Sequence, residues 1–361
     1  MGKDGIGTYG IGSHYRKRGE LLKILTMTNR ILNRVGRAIF TGFAVVTLTF
    51  GMIRLMPGGP LDYMKGQLLQ NNPDMSQEEV NNVVQSYVNV NPDAPIYAQY
   101  IEYLTGVATG DLGQSVYYQE SVSVIIADAL PWTVFVMTMS IGLMFGLAIV
   151  VGALMGYAEG SKFDVASSVM GIVLTSIPYY VAAVLLVYVL GFQWGWFPTG
   201  GRMASDTTVG LNVPFIAGIF YHAALPIASV VLTGFGGWAI DMRGNSIRVL
   251  GEDYLRVARL RGLPPKRIAL RYVGRNAILP MYTAVLIGIG FVFGGSVILE
   301  EIFSYHGVGY YMFQAISSRD YPLMMGAFLV ITLAVVVAVF IADLTYHKVD
   351  PRAGGMNRES Y

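Results

Sequence analysis

No charged residue occurs between Asp128 and Glu159. That gap constrains the fold more than any other feature of the chain. A bilayer core of about 30 Å is crossed by roughly 20 apolar residues of helix, which satisfies its own backbone hydrogen bonds. Five further stretches meet or approach that length. The six lie near 35–55, 133–157, 165–190, 223–241, 281–299 and 322–342. Composition agrees: 53% of the 361 residues are hydrophobic and 13% are charged, against roughly 25% charged in soluble chains. So little polar surface cannot cover a water-exposed body of this size, and lipid is the solvent for the excess. The expected fold class is all-α, a polytopic membrane protein of six transmembrane helices.

The basic residues between the spans set the orientation. The segment between spans one and two carries Lys65 among Asp62, Asp74, Glu78, Glu79, Asp93, Glu102, Asp111, Glu120 and Asp128. The segment between spans four and five carries Arg243, Arg248, Arg256, Arg259, Arg261, Lys266, Arg267, Arg271 and Arg275. Basic loops stay in the cytoplasm, so 242–280 is expected inside, 57–132 outside, and both termini inside. Trp194, Trp196 and Phe197, just past span three, suit an outer aromatic belt. The polar, basic start of the chain (Arg16, Lys17, Arg18, Lys23) precedes an apolar run long enough to span. It reads as a cytoplasmic extension, 1–33, before an uncleaved first helix. Residues 34–353 form the membrane domain and 354–361 a cytoplasmic tail.

Within this frame some local features are predictable. Pro178, after Ser176, removes a backbone hydrogen bond in span three and predicts a kink. Ser76 and Glu79 make a capping box ahead of Val80, Val83 and Val84, so 57–132 is expected to hold one or two short surface helices. Gly288, Gly290, Gly294 and Gly295 in span five permit close helix packing or a gating motion. There is no cysteine, which excludes disulfides and thiolate chemistry. The net charge of +2 gives no reason to expect a nucleic-acid partner.

The stretch from Glu252 to Pro265 is the most informative. Acids Glu252 and Asp253 begin it, and Arg256, Arg259 and Arg261 follow, an order that complements a helix dipole. Gly262 fits the C-terminal cap and Pro264 stops continuation. Leu255, Val257, Ala258 and Leu260 give a partly apolar surface, so a short helix at the cytoplasmic face is expected. A second basic helix is expected from Lys266 to about Asn276. The charges suit three roles: enforcing topology, binding anionic lipid, or docking a partner.

These residues also resemble a known pattern. Ala258, Gly262 and Leu279-Pro280 match the cytoplasmic loop motif of binding-protein-dependent importer permeases, with Arg256 and Val257 in place of the usual Glu-Ala. That departure resembles the dipeptide and oligopeptide permeases. Further pieces fall in the same order: Arg54 to Pro60, Gly110-Asp111-Leu112-Gly113-Gln114-Ser115, Ser176-Ile177-Pro178, Trp196-Phe197-Pro198, Gly200-Gly201, His222 to Pro226, Glu300-Glu301-Ile302-Phe303, Gly307-Val308-Gly309, Arg319-Asp320-Tyr321-Pro322 and Asp350-Pro351-Arg352. The resemblance covers roughly residues 30–353 and implies a type I ABC importer permease fold. It also implies a second homologous permease subunit, two cytoplasmic ATP-binding subunits, an extracytoplasmic solute-binding protein and surrounding membrane lipid. The helix 252–262 then becomes the contact with an ATPase, carried by Glu252, Asp253, Tyr254, Arg256, Ala258, Arg259, Gly262 and Leu263.

The chain has no Gly-x-x-x-x-Gly-Lys-Ser/Thr loop, so ATP binding by this subunit is not expected. No cofactor, metal or catalytic constellation stands out. His222 reads as a structural hydrogen-bonding group. Glu300 and Glu301, just outside span five, are either solvated or contact a peptide amine at the outer mouth, and Gly288 and Gly294 are the other candidate pathway residues. A competing reading is a self-sufficient secondary transporter or channel. Such proteins place ionisable groups or broken helices at the midplane, whereas these spans are nearly free of ionisable groups.

Overall fold

Lipid admits a helix because each segment then satisfies its own backbone groups, and the apolar runs fold accordingly. The computed structural model describes residues 32–51, 60–88, 94–204, 207–264 and 267–349. Most of the N-terminal extension, Pro57-Gly58-Gly59, Asp350-Pro351-Arg352 and the tail 354–361 lie outside the described residues.

Helix α1 covers 32–51. Three helices follow in the acidic segment: α2 (Pro60–Asn71), α3 (Gln77–Val88) and α4 (Ile96–Thr109). Sequence reasoning expected one or two. Only α3 carried a local signal in the sequence, and α4 has no side-chain capping bond to announce it. The capping box of α3 is formed: the Ser76 amide donates to Glu79 Oε2 at 2.8 Å and the Glu79 amide to Ser76 Oγ at 3.2 Å. Val80 and Val84 then bury against Met64 of α2 in a small separate core.

Next come α5 (Val122–Tyr157), α6 (Lys162–Thr175) and α7 (Tyr179–Leu186), the last continued by a π-helical stretch, Val187–Gln193. Then follow α8 (Val213–Leu250), α9 (Asp253–Leu260), a second π-helical stretch (Ile268–Gly274) and α10 (Arg275–Ile302). Helices α11 (Val308–Ser318) and α12 (Tyr321–Val349) complete the order. Helices α5 and α8 and the Tyr321–Ile341 part of α12 are long and apolar enough to cross a membrane, and α6 with α7 adds a fourth crossing if counted as one bent span.

Three expectations change. The kink in span three is a break: α6 and α7 meet at 91°. Pro178 lacks the N–H that would continue α6 and disfavours a helical residue before it, so α6 ends and Pro178 starts α7. The helix that holds span four (223–241) is longer than the apolar run: α8 is continuous over 38 residues, about 57 Å. The apolar window marks only its lipid-buried middle, and Pro226, expected at its start, lies inside it. The second basic helix is the π-helical stretch running without interruption into α10.

The contacts fix the directions. Helix α5 packs on α8 in parallel: Trp132 meets Phe215 at one end, and Gly152 meets Ala239 and Met242 toward the other. The chain between them must therefore travel back. Helix α6 begins that return antiparallel to α8, pairing Asp164 with Arg243 and then Gly171 with Gly236. At the Gly171–Gly236 crossing the backbones touch, and a Cβ on Gly171 would lie 3.2 Å from the Gly236 Cα. Helix α10 is antiparallel to α8, with Met281 clustered beside Met242 and Leu299 beside Leu225. Helix α12 joins α5 through Leu323, Ala327 and Ile331 against Val122, Ile126 and Ala129. The acidic and basic segments thereby fall at opposite ends of one bundle.

Candidate functional site

At the basic end, α8 runs into Gly251, Glu252 starts α9, and Gly262 ends it. Gly262 has φ +69°. Its amide donates to the Arg259 carbonyl at 2.9 Å and the Leu263 amide to the Ala258 carbonyl at 3.3 Å, which closes the helix with a left-handed cap. The expected terminator is therefore in place. Glu252 is the N-cap residue but makes no side-chain capping bond.

Helix α9 has two faces. Leu255 and Ala258 are 1% and 3% exposed and pack on Ile268 and Val273, with Leu263 and Val249 at the margin. On the other side, Tyr254, Val257 and Leu260 are exposed, Leu260 at 81%. Asp253, Arg256, Arg259 and Arg261 are exposed as well. Of the residues proposed to meet a partner, Ala258 faces this chain's own π-helical stretch. Its small size permits that internal contact, and Leu263 is half-buried beside it. Val257 and Leu260, read in the sequence as part of an apolar surface but not among the expected partner contacts, fill the open apolar face. Their i, i+3 relation to Tyr254 is the signal that marks them. Tyr254 is steadied by Asn276, whose Nδ2 donates to its hydroxyl at 3.1 Å.

Beneath this corner, Asp164 is buried and accepts two bonds from Arg243, at 2.5 Å from Nε and 2.8 Å from Nη2. It also accepts the Gly160 amide at 3.0 Å, while Ser161 caps α6 through the Asp164 amide. A bidentate pair fixes orientation as well as distance, so the turn before α6 is clamped to α8. Sequence reading counted Arg243 only as a topological charge. Between α8 and α10, Asp241, Asn245 and Arg248 line an open pocket with Pro280 and Met281.

At the acidic end, motifs far apart in sequence meet. Asp320 is 1% exposed and accepts from Ser115 Oγ (2.5 Å), the Tyr117 amide (3.0 Å) and the Leu323 amide (3.2 Å). It caps α12 and holds the loop before α5. Glu300 is 1% exposed, and its Oε2 accepts the Tyr310 amide at 3.0 Å in the first turn of α11. The expectation of a solvated acid does not hold for Glu300, which burial encloses. Glu301 is half-buried and accepts from Gln314 Nε2 at 3.1 Å. The Val308 amide donates to Thr133 Oγ1 at 2.8 Å, tying α11 to α5.

Arg202 adds a third tie. It pairs with Asp128 at 2.7 Å, donates to the His306 carbonyl at 3.2 Å, and lies 4.9 Å from the centre of the Trp132 ring. Burial, with the Arg202 guanidinium nearby, holds the His306 imidazole below its ordinary value. His222 Nδ1 donates to the Gly200 carbonyl at 3.1 Å, the structural role expected of it. Gly288 packs under Trp238, close enough that a Cβ would meet the ring at 2.8 Å. Gly294 lies on α10, and its surroundings fall outside what is described.

Residues 148–355 match the binding-protein-dependent transport system inner membrane component family. The chain is 31% identical over 327 residues to an oligopeptide transport system permease protein of Bacillus subtilis, covering 90% of this chain and 99% of that one. It is 29% identical over 339 residues to a di/tripeptide transport system permease protein of Pseudomonas aeruginosa, covering 90% and 98%. A dipeptide transport system permease protein of Escherichia coli is 29% identical over 354 residues, with the same coverage. Among solved structures, a chain of the inward-facing MetNI methionine ABC transporter aligns with TM-score 0.49 and 15% identity, over 62% of this chain and 96% of that one. The chain belongs to the family of binding-protein-dependent transport system inner membrane components.

Proposed function

We propose that this chain is the permease subunit of an ATP-driven importer that carries peptides delivered by an external binding protein. Its extensive likeness to peptide permeases carries the reading. It forms half of the pathway, paired with a second homologous permease in the inner membrane. Six crossings are proposed, on α1, α5, the bent pair α6–α7, α8, α10 and α12, with both termini and the 242–280 segment in the cytoplasm and 57–132 outside. The contact-derived helix directions support that alternation, as does the asymmetry of basic residues.

An ATP-binding subunit docks on the exposed face of α9, through Tyr254, Val257 and Leu260 with Asp253, Arg256 and Arg259. The buried side, through Leu255, Ala258 and Leu263, passes the motion to the π-helical stretch and α10. Gly262 sets the angle between them. Two such subunits supply the hydrolysis, and nucleotide binding biases a two-state change of access. The polar pocket of Asp241, Asn245 and Arg248 suits the inner half of a solute path. Glu301 and Gly294 remain proposed pathway residues.

Uptake of labelled peptides into vesicles containing the whole assembly tests this. Uptake is expected to need this chain, ATP and the binding protein together. Peptide accumulation by the purified chain alone, without ATP, would restore the self-sufficient transporter.

A further inference from the structure

Helix α4 belongs to the acidic segment, yet Glu102 is its one charged residue. Tyr97 and Ile101 are 71% and 57% exposed, and Ile96, Thr105 and Ala108 are exposed beside them. These positions make an uncharged stripe along about three turns. The neighbouring α3, in contrast, turns Glu78, Glu79, Asn82 and Gln85 to the surface.

The opposite side of α4 is fastened to α1. The Tyr100 ring lies 5.3 Å from that of Phe50, and the Tyr103 ring 5.6 Å from it. The Tyr100 hydroxyl is 2.7 Å from Thr47 Oγ1, and Thr47 Oγ1 donates its one hydrogen to the Phe43 carbonyl at 2.9 Å. Tyr100 is therefore the donor to Thr47, and the relay leaves neither hydroxyl hydrogen without an acceptor. Two hydroxyls satisfied by each other and by a helix carbonyl suit a place where water is scarce. Thr47 sits eight residues before Leu55, the expected outer end of the first span. Tyr100 thus reaches α1 below the expected membrane surface. The exposed side of α1, with Phe40, Phe43 and Leu48, is continuous with the same apolar exterior.

We infer that α4 is an interfacial helix, lying in the outer leaflet with Tyr97 and Ile101 turned into the boundary between headgroups and acyl chains. The occupant of its open face is lipid. A tyrosine at one end of an uncharged, mostly apolar surface suits that layer. The inference rests on the membrane reading of α1 given above and adds a depth for a segment expected to stand in water. Its role is to fix the height of the outer segment, so that the loop held by Asp320 meets the bundle at a constant level.

The chain has no cysteine, which makes site-directed spin labelling direct. Labels at Ile101→Cys and, independently, Thr105→Cys are placed in the assembled transporter, with cysteine-free partner subunits, in lipid nanodiscs. Collision with oxygen and with a water-soluble nickel chelate is measured for each variant that retains peptide uptake. Phe43→Cys is the lipid reference and Gln85→Cys the aqueous one. The expected result is that both α4 labels favour oxygen, as Phe43→Cys does, with nickel access severalfold below that at Gln85→Cys. Nickel access equal to that of Gln85→Cys would overturn the inference and leave the membrane reading of α1 intact. Low access to both reagents would also overturn it, because a protein partner then covers the stripe. Aqueous behaviour at Phe43→Cys would sink both readings.

Discussion

The two ends of the bundle are held together differently. At the acidic end, Asp320 and Arg202 each join segments distant in sequence, Glu300 holds the first turn of α11, and the two carboxylates are almost wholly enclosed. At the basic end, α9 rests on a small core of Leu255, Ala258, Ile268 and Val273 and leaves half its surface open. The first arrangement resists change; the second offers a surface and a lever. The clamp between Asp164 and Arg243 lies just inside the lever and gives it a fixed base. The proposed docking of an ATP-binding subunit on α9 calls for this asymmetry, since motion received there would have to be transmitted by the bundle instead of being absorbed at the corner.

The largest expected effect tests the stiff end. Asp320→Ala removes the shared acceptor of Ser115, Tyr117 and Leu323, and leaves those buried donors unpaired. The expected cost is about 3 kcal/mol or more, read as a lower melting temperature of the purified assembly and loss of uptake. Asp320→Asn keeps part of the network and is expected to fall between. A melting temperature unchanged by Asp320→Ala would remove the contrast between the ends.

The next effect separates the two faces of α9. Ala258→Glu drives a carboxylate against Ile268 and Val273 and is expected to cost about 2 kcal/mol or more. The corner then unfolds locally, and both ATPase co-purification and uptake are lost. Val257→Glu, one position away on the exposed face, is expected to leave the melting temperature unchanged while weakening ATPase association. Equal thermal effects from the two variants would mean that the faces are wrongly assigned.

Gly262→Val is expected to be smaller, about 1 kcal/mol, because the strain comes from φ alone and an added Cβ meets nothing within 4 Å. Uptake is expected to fall further than stability, since the substitution re-aims α9. Uptake reduced no more than by Arg271→Gln, an exposed site on the adjoining stretch, would argue against the lever.

The smallest expected effect is one of acidity. Burial depresses the His306 pKa, and the capping box depresses that of Glu79. For a group whose folded value is depressed, the stabilising difference is present above the unfolded value and is lost as pH falls through the folded one. The acidic end is therefore expected to loosen slightly as pH falls below the ordinary histidine range, and again below the ordinary glutamate range. The melting temperature is expected to drop modestly between pH 7 and pH 5, with His306→Gln abolishing the drop. A rise over the same interval would reverse the sign.

Much of this was legible in the sequence where the signal is local. The capping box at Ser76 and Glu79, the left-handed stop at Gly262 and the break at Pro178 each need only a few adjacent residues, and each stands where expected. The lengths of α5 and α8 were not legible, because hydropathy ends where lipid ends, whereas a helix continues into water. The ties at the acidic end were half legible. Asp320 and Ser115 both lie in segments that marked the family, yet the bond between them spans 205 positions, and no local pattern encodes it. Glu300 was misread for the same reason: its acidity suggested water, and only the fold shows that α11 starts against it. The inward turn of Ala258 was hidden because its partners lie beyond the turn at Gly262.

All of these arguments assume that the two ends lie on opposite sides of a membrane, with α9 inside. The most direct measurement is labelling by a membrane-impermeant maleimide in intact cells, with single cysteines placed at the exposed positions Gln70 and Arg261. The account predicts that Gln70→Cys is labelled at once and that Arg261→Cys is labelled only after the cells are permeabilised. Immediate labelling of Arg261→Cys with protection of Gln70→Cys would contradict it.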